Sequence, residues 1–242
     1  MHFKQYNPKF GFSISSIDDL EEAIIHFGIL PFFSNCIEGF SVEEMAEPGM
    51  LFGGAAGEEG CWEWKGPVIQ RKTAAYGKFL KNKAAFVSID ALHDFINYRR
   101  STVEFDEFSV EQIILDMIDE GRASTSAELR RIIFGDERRR RRPDELVCIG
   151  EPVKVKRQIL EGPLQRLQMS GHLLISDFIY KESFAGLKYG WGTGIYSTPE
   201  RWFGCNFDCE EYTPDESFIG LVSELGKRLP DVPSHLIVKL LR

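Results

Sequence analysis

The chain has 242 residues, room for one large domain or two small ones. With 43% hydrophobic and 27% charged residues it has the mix of a globular protein, which excludes collagen-like, coiled-coil and disordered classes. Its net charge of −8 argues against a uniformly basic nucleic-acid protein, and its longest uncharged apolar stretch, Ala23 to Asn35, is broken by His26, Gly28 and Pro31 and falls short of the ~20 residues that cross a bilayer.

The first sixty residues carry two lysines against ten acids. Ile17, Leu20, Ile24 and Phe27 recur at intervals of three and four, with Asp18, Asp19, Glu21 and Glu22 early, which predicts an amphipathic helix whose dipole favours its acids. Gly28 ends that helix, and Pro31 blocks a simple continuation through Phe33. Gly39 to Gly60, with Pro48, Gly49, Gly53, Gly54 and Gly57, reads as a loop-rich stretch.

Between Cys61 and Arg100 the balance reverses to eight Lys or Arg against three acids. Trp62-Glu63-Trp64-Lys65 alternates bulky and charged side chains, the period of a half-buried strand, and Gly66-Pro67 is expected to end it. Tyr76 to Leu80 and Ala84 to Ser88 flank Lys81-Asn82-Lys83, which predicts a hairpin with Lys81 and Lys83 at its tip. Ser88 or Asp90 can cap a helix running to Tyr98, with Leu92, Phe95 and Ile96 on one face.

Residues 101–121 are acidic, and residues 122–142 bring eight arginines against three acids. Ser109 caps a predicted helix through Glu120, whose Val110, Ile113, Ile114, Met117 and Ile118 share a face. Thr125 and Glu128 form a capping box for a second helix, Ala127 to Phe134, with Leu129, Ile132 and Ile133 inward. The stretch Val155 to Gly171 offers a third, with Gly162-Pro163 kinking it or delaying its start. Leu173 to Tyr180 then alternates toward strand, Gly186 to Gly194 reads as a glycine-rich tip, and Ile195 to Ser197 as the returning partner. Further helices are expected at Ser217 to Lys227 and His235 to Leu241, the last docked onto the body by its leucines.

Helix, turn, helix, third helix and hairpin is the order of a winged helix-turn-helix, in which a helix enters the major groove. The expected fold class is therefore α+β and mostly helical, built from winged helix-turn-helix units with β-hairpins. Residues 1–106 would form an N-terminal winged-helix-related unit and residues 107–242 a second unit with C-terminal helices. The expected partner is DNA. Lys81, Lys83 and the run Arg138, Arg139, Arg140, Arg141 and Arg142 would grip phosphates, and Arg157, Arg166 and Gln168 would contact groove edges. Winged helices also serve as protein-contact modules, so the arrangement alone does not fix the function.

Several segments together resemble a bacterial family, the AlkZ-related proteins, relatives of AlkZ-type winged-helix DNA glycosylases that remove alkylated or crosslinked bases. They are Trp62-Glu63-Trp64-Lys65-Gly66-Pro67, Ala75-Tyr76-Gly77-Lys78-Phe79, Ala85-Phe86-Val87-Ser88, Asn97-Tyr98-Arg99-Arg100, Leu164-Gln165-Arg166-Leu167-Gln168-Met169, Ile175-Ser176-Asp177-Phe178 and Tyr189-Gly190-Trp191-Gly192. The resemblance covers most of residues 60–200 and implies winged-helix units, a basic face for DNA, action on a nucleobase and a place in DNA repair. The glycosylases follow a Gly-Leu-Leu-like turn with Gln-apolar-Gln or Gln-apolar-Asp, which holds the hydrolytic water. Here Gly28-Ile29-Leu30 precedes Pro31-Phe32-Phe33. Proline and phenylalanine can neither orient water nor stabilise the positive charge that develops on the sugar as a glycosidic bond breaks.

Glu38 is the nearby carboxylate that an active glycosylase would have to recruit instead. The five histidines show no metal-ligand spacing, Cys205 and Cys209 lack the second pair of a structural zinc site, and Gly190 to Gly194 lacks the Lys-Ser/Thr of a phosphate loop. No cofactor or metal is expected. Five scattered cysteines and the absence of an apolar run in the first twenty residues suit a reducing cytoplasm. The primary expectation is a DNA-binding protein without glycosylase chemistry; an active glycosylase and a protein-interaction module are the alternatives.

Overall fold

A computed structural model describes residues 9–53, 59–135, 160–182, 188–208 and 211–242. Ser16 caps α1 (Ile17–Phe27) by accepting the Asp19 N–H, and Gly28, at φ 75°, turns the chain out of it. The next residues do not stop at Pro31. They form β1 (Ile29–Pro31), an edge strand that was not expected. An edge tolerates proline because one side of the strand needs no donor. A single turn, α2 (Val42–Met45), lies within the loop-rich stretch and is capped by the Ser41 hydroxyl.

The predicted strand at Trp62 is instead helix α3 (Cys61–Gln70). Glu63 sits at its third position and accepts the Gly60 N–H, and Cys61, Lys65, Val68 and Ile69 are buried at helical spacing. Pro67 lies inside the helix, where it forfeits one backbone hydrogen bond but does not end the helix. The alternation misleads because Lys65, counted as polar, belongs to the buried face.

Strands β2 (Ala74–Leu80) and β3 (Lys83–Ser88) form the predicted hairpin, and β1 adds to β3 in an antiparallel sheet of order β1-β3-β2. Leu80 pairs with Lys83, so the connection is two residues, Lys81 and Asn82, with φ of 50° and 63°. Positive φ at both central positions is the type I′ signature whose twist matches the strands. Ser88 caps α4 (Ile89–Ser101).

Helices α5 (Val110–Asp119) and α6 (Ser126–Phe134) follow their predicted caps, and α7 (Glu161–Met169) starts next to Gly162-Pro163. Ile114, Ile118, Leu129, Ile133, Leu164, Leu167 and Leu173 close a second core among them. Strands β4 (Leu174–Glu182) and β5 (Lys188–Ser197) pair antiparallel. Part of the predicted glycine-rich tip is already strand: a Cβ at Gly192 would fall 2.9 Å from the Tyr180 ring, and one at Gly194 3.3 Å from Ile175. These glycines admit cross-strand side chains rather than a turn.

Helices α8 (Pro199–Phe203), α9 (Pro214–Arg228) and α10 (Ser234–Leu241) complete the chain. Leu221, Leu225, Ile237, Leu240 and Leu241 join the same core as Leu20, Ile24, Phe86 and Phe95, so the end of the chain packs with its beginning. The architecture is mixed α+β and mainly helical. No helix among the described residues is long and apolar enough to cross a membrane.

Candidate nucleic-acid interface

Most cations of the basic block are consumed by the fold. Arg71 pairs with Asp18 and Glu21, and Arg100 with Glu200. Arg99, 5% exposed, donates to the Phe79 carbonyl, and Lys72 donates to the Trp202 carbonyl at 2.7 Å. Lys65 is fully buried. Its ammonium lies 3.7 Å from the Trp62 ring centroid and 4.4 Å from that of Phe178, donates to the Trp62 carbonyl, and reaches the Tyr180 hydroxyl at 3.2 Å. Burial pushes it down to about 7, while the π faces favour its charged form.

Lys78, Lys81 and Lys83 are left, and none has a carboxylate within ion-pair distance among the described residues. Lys81 and Lys83 are exposed, as expected for a hairpin tip. They line a cavity of about 360 Å³ with Pro31, Phe33, Ser34, Cys36, Leu80 and Lys239. Lys83 donates to the Ser34 carbonyl at 2.9 Å, and the Ser34 N–H donates to Glu43. Asn35 donates to the Phe40 carbonyl and accepts the Ile37 N–H, and the Cys36 thiol meets the Leu236 carbonyl at 3.6 Å. The wall is thus a braced turn tied to α10.

Lys239 escaped the sequence reading. Helical spacing shows that it points away from Ile237, Leu240 and Leu241, but not that α10 packs beside the hairpin tip.

Pro31 and Phe33 meet this cavity with apolar surface. Phe32 between them is fully buried against the rings of Trp62, Tyr76 and Phe86. Glu38 is exposed and does not line the cavity.

The two basic blocks meet elsewhere. Lys78 from β2 and Arg130 from α6 line a second cavity of about 270 Å³ with Ser126, Glu161 and Gln165, and Arg130 pairs with Glu161 at 3.2 Å. Arg166 donates through Nε to Glu111 at 2.6 Å, a carboxylate largely shielded from solvent, so its charge is neutralised within the fold. Gln168 corrects its expected role. It is 1% exposed, accepts the Lys78 N–H at 3.0 Å and donates to the Leu164 carbonyl at 2.9 Å, so both ends of its amide are occupied and it offers no free groove contact. Arg138, Arg139, Arg140, Arg141, Arg142 and Arg157 lie outside the described residues, as does Cys209. Among the described residues no group of three or more His, Cys, Asp or Glu is arranged to hold a metal ion.

A family model described as AlkZ related matches residues 14–242, nearly the whole chain. The chain belongs to the AlkZ-related family. That membership spans the α1–β1 turn, the lysine-lined cavity and the α5–α7 helices alike. No curated protein and no solved structure matches it.

Proposed function

We propose that this AlkZ-related protein binds DNA and does not hydrolyse the glycosidic bond. The observation that carries the reading is the juxtaposition of Pro31 and Phe33 with Lys81, Lys83 and Lys239: a cavity rich in ammonium groups, with no carboxylate among the described residues that line it. Ammonium groups attract phosphate by releasing counterions, whereas hydrolysis needs a polar group to orient water and to offset positive charge on the sugar. Family membership supports DNA as the partner, since the family's name relates it to DNA glycosylases.

In this reading α5, α6 and α7 are the helices of a winged helix-turn-helix, β4 and β5 are its wing, and the C-terminal helices return to the first core. The first unit gives way to the second near residue 107, and the C-terminal helices rejoin the first. Lys81, Lys83 and the arginines at 138–142 contact backbone phosphate, and Arg157 contacts a groove edge. Arg166 and Gln168 leave the contact set because Glu111 and the Lys78 and Leu164 backbone already hold them.

The test is duplex affinity measured by fluorescence anisotropy across a salt series, with an abasic-site assay on alkylated DNA in parallel. Phosphate contacts from Lys81, Lys83 and Lys239 alone give a log–log slope of about −2.7, and the arginine run steepens it. A flat salt response sinks the binding reading. Base release that survives repurification and disappears in Glu38→Gln replaces it with an active glycosylase.

A further inference from the structure

We infer that the cavity between the β2–β3 hairpin tip and α10 is a recognition site for a nucleoside phosphate, taken either as a free nucleotide or as the phosphorylated 5′ end of DNA. Only the second source rests on the DNA-binding reading. At about 360 Å³ the cavity is at the lower end of the range for small-ligand sites, a size suited to one nucleotide rather than a length of duplex.

Its lining divides by chemistry. Lys81, Lys83 and Lys239 come from a turn, a strand and the last helix, and none has an ion-pair partner among the described residues. A phosphate dianion would supply the counter-charge and accept the N–H donors of ammonium groups that line one cavity. Pro31, Phe33, Leu80 and Leu240 supply apolar surface of the kind on which a nucleobase rests.

The site is also built in advance. Lys83 is held on the Ser34 carbonyl, Asn35 is locked within its own turn, and Cys36 is tied to α10. The Ser34 hydroxyl makes no hydrogen bond to another described residue, and Ser34 lines the cavity beside the lysines, so it serves as a neutral donor to the same phosphate. A preformed wall reduces the ordering cost of binding.

The experiment titrates the full chain with a nucleoside 5′-monophosphate by calorimetry. Anisotropy then compares 5′-phosphorylated and 5′-hydroxyl duplexes of one sequence, and closed circular DNA, which has no ends. Lys239→Gln and Lys81→Gln are run beside the unmodified chain; both residues are exposed, and thermal melting confirms that each variant folds. The expected result is one nucleotide per chain, with affinity falling about tenfold or more in each variant. A fivefold or greater preference for the phosphorylated end assigns DNA ends as the source, and nucleotide binding without that preference assigns the free nucleotide. Absence of both nucleotide binding and end preference overturns the inference, as does binding unchanged in both variants. Closed circular DNA separates the two readings: if it binds while nucleotide and end recognition fail, only the cavity assignment falls, and if the free nucleotide binds while neither circular nor linear DNA does, only the DNA-binding reading falls.

Discussion

Lys65 occupies a position that a hydrophobic residue would fill at less cost. The folded chain holds its ammonium near 7 by burial, against an ordinary value of 10.5, so between those pH values the unfolded chain binds more protons than the folded one. Stability attributable to this group therefore rises as pH climbs from about 7 to 10.5, and below 7 its full cost is present. Each pKa unit is about 1.4 kcal/mol, and the π faces of Trp62 and Phe178 return part of the cost, which leaves roughly 2–4 kcal/mol. Lys65→Met keeps the volume and is expected to raise the urea midpoint at pH 6.5, with the advantage shrinking toward pH 10. An advantage independent of pH would contradict this account.

His172 behaves alike at lower pH. Burial and the nearby Arg100 hold it at about 4, so protonation costs stability as pH falls from 6.5 toward 4. His172→Gln is expected to flatten the acid limb of a melting-temperature profile in that window, and an unchanged limb would assign acid sensitivity to other groups.

At the scale of single elements, the tip of the β2–β3 hairpin sets stability against binding. Lys81 sits at φ 50°, where a side chain is strained and glycine is not. Lys81→Gly is expected to stabilise the chain by about 0.5–1 kcal/mol while weakening duplex binding, read as a higher melting temperature beside a shallower salt slope. Loss of both stability and binding would show that Lys81 packs rather than reaches outward.

Local signals made much of the fold legible. Ser88, Ser109 and Thr125 cap the helices they precede, and the lysine-asparagine pair turns its hairpin. These devices act within a few residues, so one sequence suffices to read them. The failures share another cause. Lys65 looks solvent-facing until its helix is seen to bury it, Gly192 and Gly194 look like a turn until Tyr180 and Ile175 cross over them, and Pro31 looks like a stop until β3 pairs with it. Each depends on a partner distant in the chain. The candidate site was half legible for the same reason: Lys81 and Lys83 are local to a turn, but Lys239 reaches them only through tertiary packing.

For the molecule as a whole, the summed charge is a poor guide to its surface. The basic block of residues 61–100 serves mainly to cross-link elements, with Arg71 binding α1, Arg100 binding α8 and Lys72 binding the carbonyl of Trp202. The C-terminal helices have a similar bracing role: the Tyr98 and Phe218 rings lie 4.4 Å apart between α4 and α9, and Ser217 donates to Asp94 at 2.6 Å. Ending the chain after Arg228 removes Ile237, Leu240 and Leu241 from the first core together with Lys239. The truncated chain is expected to melt at least 5–10 °C lower, since losing several buried aliphatic side chains costs a few kcal/mol. An unchanged melting temperature would mean that α10 is only an attached tail.

The sharing of one core between the two ends of the chain bears on how the protein is made. Residues near position 20 leave the ribosome long before those near position 240, yet they close around the same apolar centre. During synthesis the early helix and sheet must wait with greasy faces uncovered, while α5, α6 and α7 can assemble among themselves in the meantime. Chaperone demand during translation should therefore fall on the first hundred residues and end only when the final helix emerges.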